Sequence, residues 1–387
     1  MREKIRHSPS LRSKLAVAFY CFTFGSFTWV WLSLLYGAYH YPTVVVPPVV
    51  AWLGYVLLVD HEARFHGWEP SCRNLSVWTY MRSYFPSTEL VVHGDLASDA
   101  GGKPSMYLYH PHGVLAFGSW LAFGCNALGL DDRLSGCGTG GKGPTGPEGD
   151  RDDRDDRDDC GDRGDPGDHS RNSNNNNTRS PPRLVTLNIN FFAPFLREFL
   201  LAHGVCSCAK KALIGLLRRN ESVALVVGGG SESLLSKQGE YHLVLRRRRG
   251  FAKVALATGC NLVPVVGFGE TDCYSTWNDW KIVRSLQKRI ERTLGFTVPI
   301  AVGRGFFLPF GLLPHSRPLR IVVGRAVPVE KWVGSETGET GETGGGRDGR
   351  GQEAYERAVE DVKRRYEEAL LDVFEEEGVS DKVRIVE

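Results

Sequence analysis

The sharpest chemical signal in the chain is His110-Pro111-His112-Gly113, two imidazoles flanking a proline after the apolar run Met106 to Tyr109. Parallel-sheet proteins place reacting groups at the ends of their strands. An imidazole at the start of a following helix meets the positive end of the peptide dipole, which favours its neutral form near pH 7. Such a group can take the proton of a hydroxyl. Two other readings stand beside this one: a histidine that only caps a helix or bonds a carbonyl, and an H-x-H metal site. The metal site needs further His, Asp or Lys ligands from several strand ends. His7, His40, His61 and His66 lie in or beside apolar segments, and His169 lies in a low-complexity stretch.

Three more segments carry chemistry-bearing residues. Gly228-Gly229-Gly230-Ser231-Glu232 follows the apolar strand pattern Ser222 to Val227, so its backbone N–H groups can hold a phosphate or an oxyanion, and Glu232 adds a carboxylate. An ordinary turn with a capped helix is the plainer alternative. Arg246, Arg247, Arg248 and Arg249 precede a helical pattern from Gly250 to Thr258, where guanidiniums clamp phosphates or headgroups, or form a solvated charged face. Glu270 closes the run that begins with strand Asn261 to Val266, as a second carboxylate or as half of an ion pair.

Composition narrows the classes. With 387 residues, 42% of them hydrophobic and 24% charged, the chain buries a sizeable core and is not globally disordered. A formal charge of +2 removes the broad attraction that a nucleic-acid binder needs. Nine scattered cysteines form neither a disulfide scaffold nor a CxxC zinc pair, which favours a reduced compartment.

The elements that must position these residues have α/β character, strand alternating with helix from His61 onward, as in a mixed or mostly parallel sheet flanked by helices. The patterns predict strands at Met106–Tyr109, Leu184–Ile189, Ser222–Val227 and Asn261–Val266. They predict helices at Val114–Leu128, Phe195–His203, Lys210–Arg219 and Gly250–Thr258. Ahead of them, uncharged segments 15–36 and 43–59 have about the length that crosses a hydrocarbon core, although Pro47 and Pro48 should bend or interrupt the second. Their short connection makes a transmembrane hairpin. Basic residues flank both ends and the connection has none, which predicts cytosolic flanks: a basic start over 1–14, and a domain over 60–387. Two biased stretches, 131–182 and 334–352, read as mobile insertions, and the arginines within RDDRDDRDD oppose a calcium site there.

Together these segments resemble the type 2 diacylglycerol acyltransferase family, which includes monoacylglycerol and wax-alcohol acyltransferases. The blocks that carry the resemblance are the apolar hairpin, Tyr84-Phe85-Pro86, YHPHG at Tyr109 to Gly113, and NFFAPFLRE at Asn190 to Glu198. VGGGSESL at Val227 to Leu234, the run Arg248 to Glu270, GRGF at Gly303 to Phe306 and the tail Tyr366 to Gly378 complete them. The resemblance implies a glycerolipid-acyltransferase-like fold. It also implies transfer of a fatty acyl group from acyl-coenzyme A to diacylglycerol, with monoacylglycerol or a long-chain alcohol as the alternative acceptor. A metallohydrolase and a non-catalytic lipid-droplet scaffold are more remote.

Within that resemblance His112 is the base and His110 its positional partner, while Glu232 or Glu270 orients the imidazole. Amides of Gly229, Gly230 or Gly113 hold the oxyanion, and Arg246 to Arg249 with Arg197 meet the coenzyme A phosphates. Tyr84, Phe85, Pro86, Pro111, Asn190 and Gly228 fall to substrate binding. Related glycerolipid acyltransferases carry an aspartate shortly after their histidine, where this chain has Leu115 and Phe117, so a supporting carboxylate must come from elsewhere. No metal or cofactor is implied, acyl-coenzyme A being a substrate. The partners are acyl-coenzyme A, diacylglycerol and membrane lipid, without nucleic acid, and self-association is left open. The implied location is the endoplasmic-reticulum membrane, with lipid droplets as a second site.

Overall fold

The computed structural model describes residues 8–94, 102–134, 180–276, 300–308, 310–333 and 349–386, together with 285, 287 and 289. Its strands, in chain order, are β1 (Glu89–Val92), β2 (Ser105–His110), β3 (Arg183–Thr186), β4 (Cys206–Ser207), β5 (Val223–Val226) and β6 (Tyr241–Val244). They continue with β7 (Asn261–Phe268), β8 (Ser275–Thr276), β9 (Ala301–Val302), β10 (Arg320–Val323) and β11 (Val383–Val386). A seven-stranded sheet has the order β1-β10-β7-β2-β5-β3-β4. From β7 to β4 every pairing is parallel; β10 runs antiparallel to β7, and β1 runs parallel to β10.

Alternation along the strands explains the layering, because successive side chains point to opposite faces of a sheet. Tyr107 and Tyr109 of β2, Val263 and Val265 of β7, and Ile321 and Val323 of β10 enter one core. Met106, Leu108, Leu262, Val266 and Val322 enter the other. The first core is closed by Trp78, Trp120 and Leu200, and the second by Leu216, Val254, Tyr366 and Phe374. The result is a sheet covered on both faces, which is why its central strands are apolar over most of their length, with Ser105, His110 and Asn261 at the strand ends.

Helix Lys210–Arg218 buries Ala212, Leu213, Leu216 and Leu217, as its spacing predicts. The C-terminal helix Gly349–Glu376 is longer than the sequence reading, which singled out only its end. It buries Val359, Val362, Tyr366, Leu370, Val373 and Phe374, a stripe at three- and four-residue spacing.

Several boundaries differ from expectation. The run Val114–Leu128 is not one helix: only Phe117–Ser119 and the π turn Trp120–Gly124 are helical. The left-handed Ala116 sets the start there, and the amides of Phe117 and Gly118 bond the Glu270 carboxylate instead of a preceding turn. The strand expected to reach Ile189 stops at Thr186, and Asn188–Phe192 forms a 3-10 turn. Residues 131–134, assigned to an insertion, finish the helix Leu130–Leu134, where Asp131 accepts two hydrogen bonds from buried Arg73 at 2.8 and 2.9 Å. Likewise 349–352 open the C-terminal helix. Of the remainder, 135–179 and 334–348 lie outside the described residues.

At the start, α1 (Leu11–His40) begins where the Ser10 hydroxyl accepts from the Ser13 N–H at 3.2 Å. It ends at Tyr41 because Pro42 disfavours helix in the residue before it, and Pro42 then opens α2 (Pro42–Gly54). Pro47 and Pro48 sit inside α2 without interrupting it, and Tyr55–Val59 extends it as a π turn. Both α1, with 30 residues, and Pro42–Val59, with 18, are long and apolar enough to cross a membrane. The first half of α1 is not a free span, however. Ser13, Ala16, Val17 and Tyr20 are buried against the α/β domain, and the Tyr20 hydroxyl donates to the Leu115 carbonyl at 2.9 Å.

One close approach inside the sheet gives a stability test. A Cβ on Gly267 of β7 would lie 1.8 Å from the Tyr109 hydroxyl oxygen on neighbouring β2. Gly267→Ala is therefore expected to cost about 1–3 kcal/mol of overpacking. Gly215→Ala, whose Cβ meets only the tip of Arg219 at 4.0 Å, serves as the control. Thermal unfolding in detergent should show a lower midpoint for the first and none for the second.

Candidate active site

The HPHG turn leaves the end of β2, between β5 and β7 in the middle of the sheet. Alternation carries His110 to the same face as Met106 and Leu108, so its ring is fully buried, 6.4 Å from that of Tyr366. There Nδ1 lies 3.2 Å from Glu232 Oε1. A carboxylate only accepts, so Nδ1 carries the proton and donates. The same carboxylate accepts from the Val244 N–H at 3.0 Å and from the His112 N–H at 2.9 Å. Glu232 thus ties helix Gly229–Leu235 to β6 and to the HPHG turn. It leaves no space for a side chain at Gly228, where a Cβ would fall 1.7 Å from the Glu232 carboxyl carbon.

His112 sits differently. It is partly exposed and lines a cavity of about 680 Å³. Its Nδ1 lies 3.1 Å from the Gly113 carbonyl, a geometry in which Nδ1–H donates and Nε2 keeps its lone pair. Burial pushes its pKa below the ordinary histidine value, and the Gly113 carbonyl and Glu232 only partly oppose this. A neutral imidazole at neutral pH is the outcome.

Glu270 is also buried, but its contacts are elsewhere. Its oxygens accept from the Phe117 and Gly118 amides, both at 2.8 Å, and from the Tyr109 hydroxyl at 2.9 Å. Burial lifts its pKa to about 7 in spite of those three donors. Gly113 is packed against it, since a Cβ there would approach Glu270 Cγ to 2.6 Å. Of the two carboxylates, Glu232 is therefore the one that meets the histidine pair, and Glu270 shapes the turn that follows.

The cavity gathers residues from both face cores at the β5–β3 side of the sheet. Tyr20 and Phe24 of α1 join Trp120, Leu200 and Leu213 in an apolar wall, and Gly229, Gly230 and Asn190 border it. Lys210, Arg248 and Lys253 bring positive charge. Only Arg248 of the arginine run reaches this lining, with Nη2 3.3 Å from the Gly228 carbonyl. Arg249 pairs with Glu356 and Glu360 of the C-terminal helix at 3.0 and 3.4 Å, and Arg246 and Arg247 are exposed. Arg197 is buried and bonded to Asp60, at the exit of the apolar helix pair, and to Glu198 at 3.1 Å. Tyr84 and Phe85 are core residues, and Tyr84 donates to the Pro314 carbonyl. Pro86 follows them at the end of the same segment, and Pro111 is buried between the two histidines.

Sequence reasoning missed Tyr20, Phe24, Lys210 and Lys253 as cavity residues. Lys253 had a readable signal, one turn beyond the arginine run and the one charged residue of its helix. Among the described residues no group of three or more His, Cys, Asp or Glu is gathered for a metal ion.

Fold and site together define a parallel-rich α/β protein with a strand-end histidine set at a largely apolar cavity, joined to an apolar helix pair. Comparison with known proteins narrows that class. The family model described as diacylglycerol acyltransferase matches residues 35–139 and 173–342, and the chain belongs to that family. It is 32% identical over 335 residues to diacylglycerol O-acyltransferase 2A of Umbelopsis ramanniana, covering 84% of this chain and 79% of that protein. Diacylglycerol O-acyltransferase 2 of Danio rerio is 31% identical, covering 73% of this chain and 66% of that protein. The Homo sapiens enzyme of the same name is 30% identical, covering 67% and 56%. The chain thus spans less than two thirds of the length of these last two relatives. The solved 1-acyl-sn-glycerophosphate acyltransferase PlsC from Thermotoga maritima aligns over 91% of this chain and 98% of its own at 9% identity and a TM-score of 0.33, a likeness that carries no argument.

Proposed function

We propose that the protein transfers a long-chain acyl group from acyl-coenzyme A to the free hydroxyl of diacylglycerol, with His112 as the general base. The observation that carries this is the placement of a neutral, tautomer-fixed imidazole at a cavity whose wall is largely apolar. The acceptor follows the names of the relatives, all diacylglycerol O-acyltransferases. His112 Nε2 takes the hydroxyl proton as the alcohol oxygen attacks the thioester carbonyl carbon. Gly229 and Gly230 border the same cavity, and their amides are the donors for the oxyanion. Collapse of that intermediate breaks the carbon–sulfur bond, and the leaving thiolate receives the proton held by His112. The ester and free coenzyme A then depart.

His110 and Glu232 act as positioning residues, holding the turn that carries His112. Arg248, with Lys210 and Lys253, faces the coenzyme A phosphates in this reading. The helix pair spans the endoplasmic-reticulum membrane with both flanks cytosolic, so the thioester arrives from water and the glycerolipid from the bilayer.

Labelled acyl-coenzyme A supplied to membranes holding the full chain, with a panel of acceptor lipids, tests the activity. Triacylglycerol formed from diacylglycerol is the expected product; labelled wax ester or diacylglycerol alone would move the acceptor, and no ester at all would sink the proposal. The pH profile tests the base. With the His112 pKa lowered, the neutral form persists to more acid pH, so kcat/KM should fall only below the ordinary histidine value of about 6.5. An acid limb centred above that value would exclude His112.

A further inference from the structure

The domain-bound half of α1 has two faces. Ser13, Ala16, Val17 and Tyr20 are buried in the domain, whereas Leu11, Leu15, Phe19 and Phe22 are exposed. At 3.6 residues per turn these four lie within an arc of about 80°. Trp29, exposed and farther along α1 beyond buried Ser26, falls in the same arc on this helix, which is long and apolar enough to cross a bilayer.

A second apolar surface lies beside it. Phe307 and Leu312 are 93% and 80% exposed, with Leu308 and Phe310 exposed between them. The backbone that presents them is firmly held. Gly303 and Gly311 exchange hydrogen bonds at 2.9 and 3.2 Å, and Arg304 and Leu313 do so at 2.6 and 2.9 Å. Gly311 packs so closely that a Cβ would lie 2.7 Å from Gly305 Cα. Lys14 joins the two surfaces: its ammonium donates to the Phe306 carbonyl at 3.0 Å and lies 6.0 Å from the centre of the Phe307 ring. On the other edge of the stripe Arg12 donates to the Tyr80 hydroxyl at 3.3 Å and covers that ring at 5.8 Å.

We infer that the exposed α1 stripe and the turn bearing Phe307 and Leu312 form one lipid-facing surface that seats the domain in a phospholipid leaflet. Ordered apolar side chains in water are unfavourable, and a patch of this kind marks a contact surface. The occupant is lipid because the stripe lies on a helix of spanning length, and because its edges carry cations laid over aromatic rings. That is the arrangement by which Lys and Arg reach phosphate headgroups while their stems stay in apolar surroundings. Seating also brings lipid to the cavity, since Tyr20 and Phe24 on α1 belong to its lining.

The inference rests on the membrane placement of the helix pair, and one experiment separates the two. The full chain is reconstituted in phosphatidylcholine vesicles containing a phospholipid with a photoactivatable carbene precursor in its acyl chain, and adducts are mapped by mass spectrometry. Adducts are expected on α2, on Leu11 to Phe22, and on the turn around Phe307 and Leu312. Labelled α2 with an unlabelled turn would overturn the leaflet surface and leave the spanning helices standing. An unlabelled α2 would remove both. In the Phe307→Glu, Leu312→Glu double variant, adducts at the turn should fall by about fivefold or more while α2 is unchanged. Copies cross-linked through the turn, without lipid adducts, would assign this face to a second chain and overturn the proposal.

Discussion

Replacing His112 by alanine is expected to lower kcat/KM for triacylglycerol formation by about 10²- to 10⁴-fold, the contribution of a positioned proton acceptor. The fold should barely respond. The ring is partly exposed, and its Nδ1 bond goes to the carbonyl of the adjacent Gly113, so no distant element depends on it. Its backbone N–H, which Glu232 requires, is retained in alanine. Turnover with labelled acyl-coenzyme A and the thermal midpoint in detergent, measured on one preparation, check both halves. Activity within tenfold of the unaltered protein would place the base elsewhere; a large drop in the midpoint would make His112 a structural residue.

The separate roles expected of the two histidines, His112 as base and His110 beside it, have a physical basis in strand parity. Met106, Leu108 and His110 share parity on a strand, so His110 points where Met106 and Leu108 point. What the sequence does not give is that β2 lies between β5 and β7, with both faces covered, which turns that parity into full burial. The carboxylate partner was legible only as a pair of candidates. Glu232 and Glu270 both follow strand ends, and the choice depends on the Val244 amide of β6, which no local pattern ties to the HPHG turn.

The parallel strands and the helices Lys210–Arg218 and Gly250–Thr258 were readable from runs and spacing, because each buries its own apolar face. The helix expected over Val114–Leu128 was not, because hydrophobicity there serves core filling and the backbone is held by Glu270. Arg197 shows the reverse error. Charge suggested an anion site, whereas the fold brings Asp60 to it across 137 residues of sequence.

Glu232→Ala should destabilise the protein more than any other single change in the site. Removal of this carboxylate leaves the partly buried His112 amide and the buried Val244 amide without an acceptor, and buried His110 Nδ1 without its partner. Each buried donor left without an acceptor costs about 1–3 kcal/mol, several kcal/mol in all. For a domain this large that lowers the melting midpoint by on the order of 10 °C. His110→Ala acts on the same contact from the other side, leaving Glu232 with its two amide donors.

Because one interaction is lost in both single variants, their costs should not add: the double variant is expected to fall short of the sum by about 0.5–3 kcal/mol. Turnover discriminates further. Molecules of His110→Ala that remain folded keep the His112 imidazole at the cavity and should still turn over, whereas His112→Ala should be folded and inactive. Additive destabilisation would show that His110 and Glu232 do not form the unit seen beneath the turn. Equal loss of turnover in folded His110→Ala and His112→Ala would show that the buried ring, acting through Glu232 on the His112 N–H, holds the catalytic imidazole as tightly as the reaction requires.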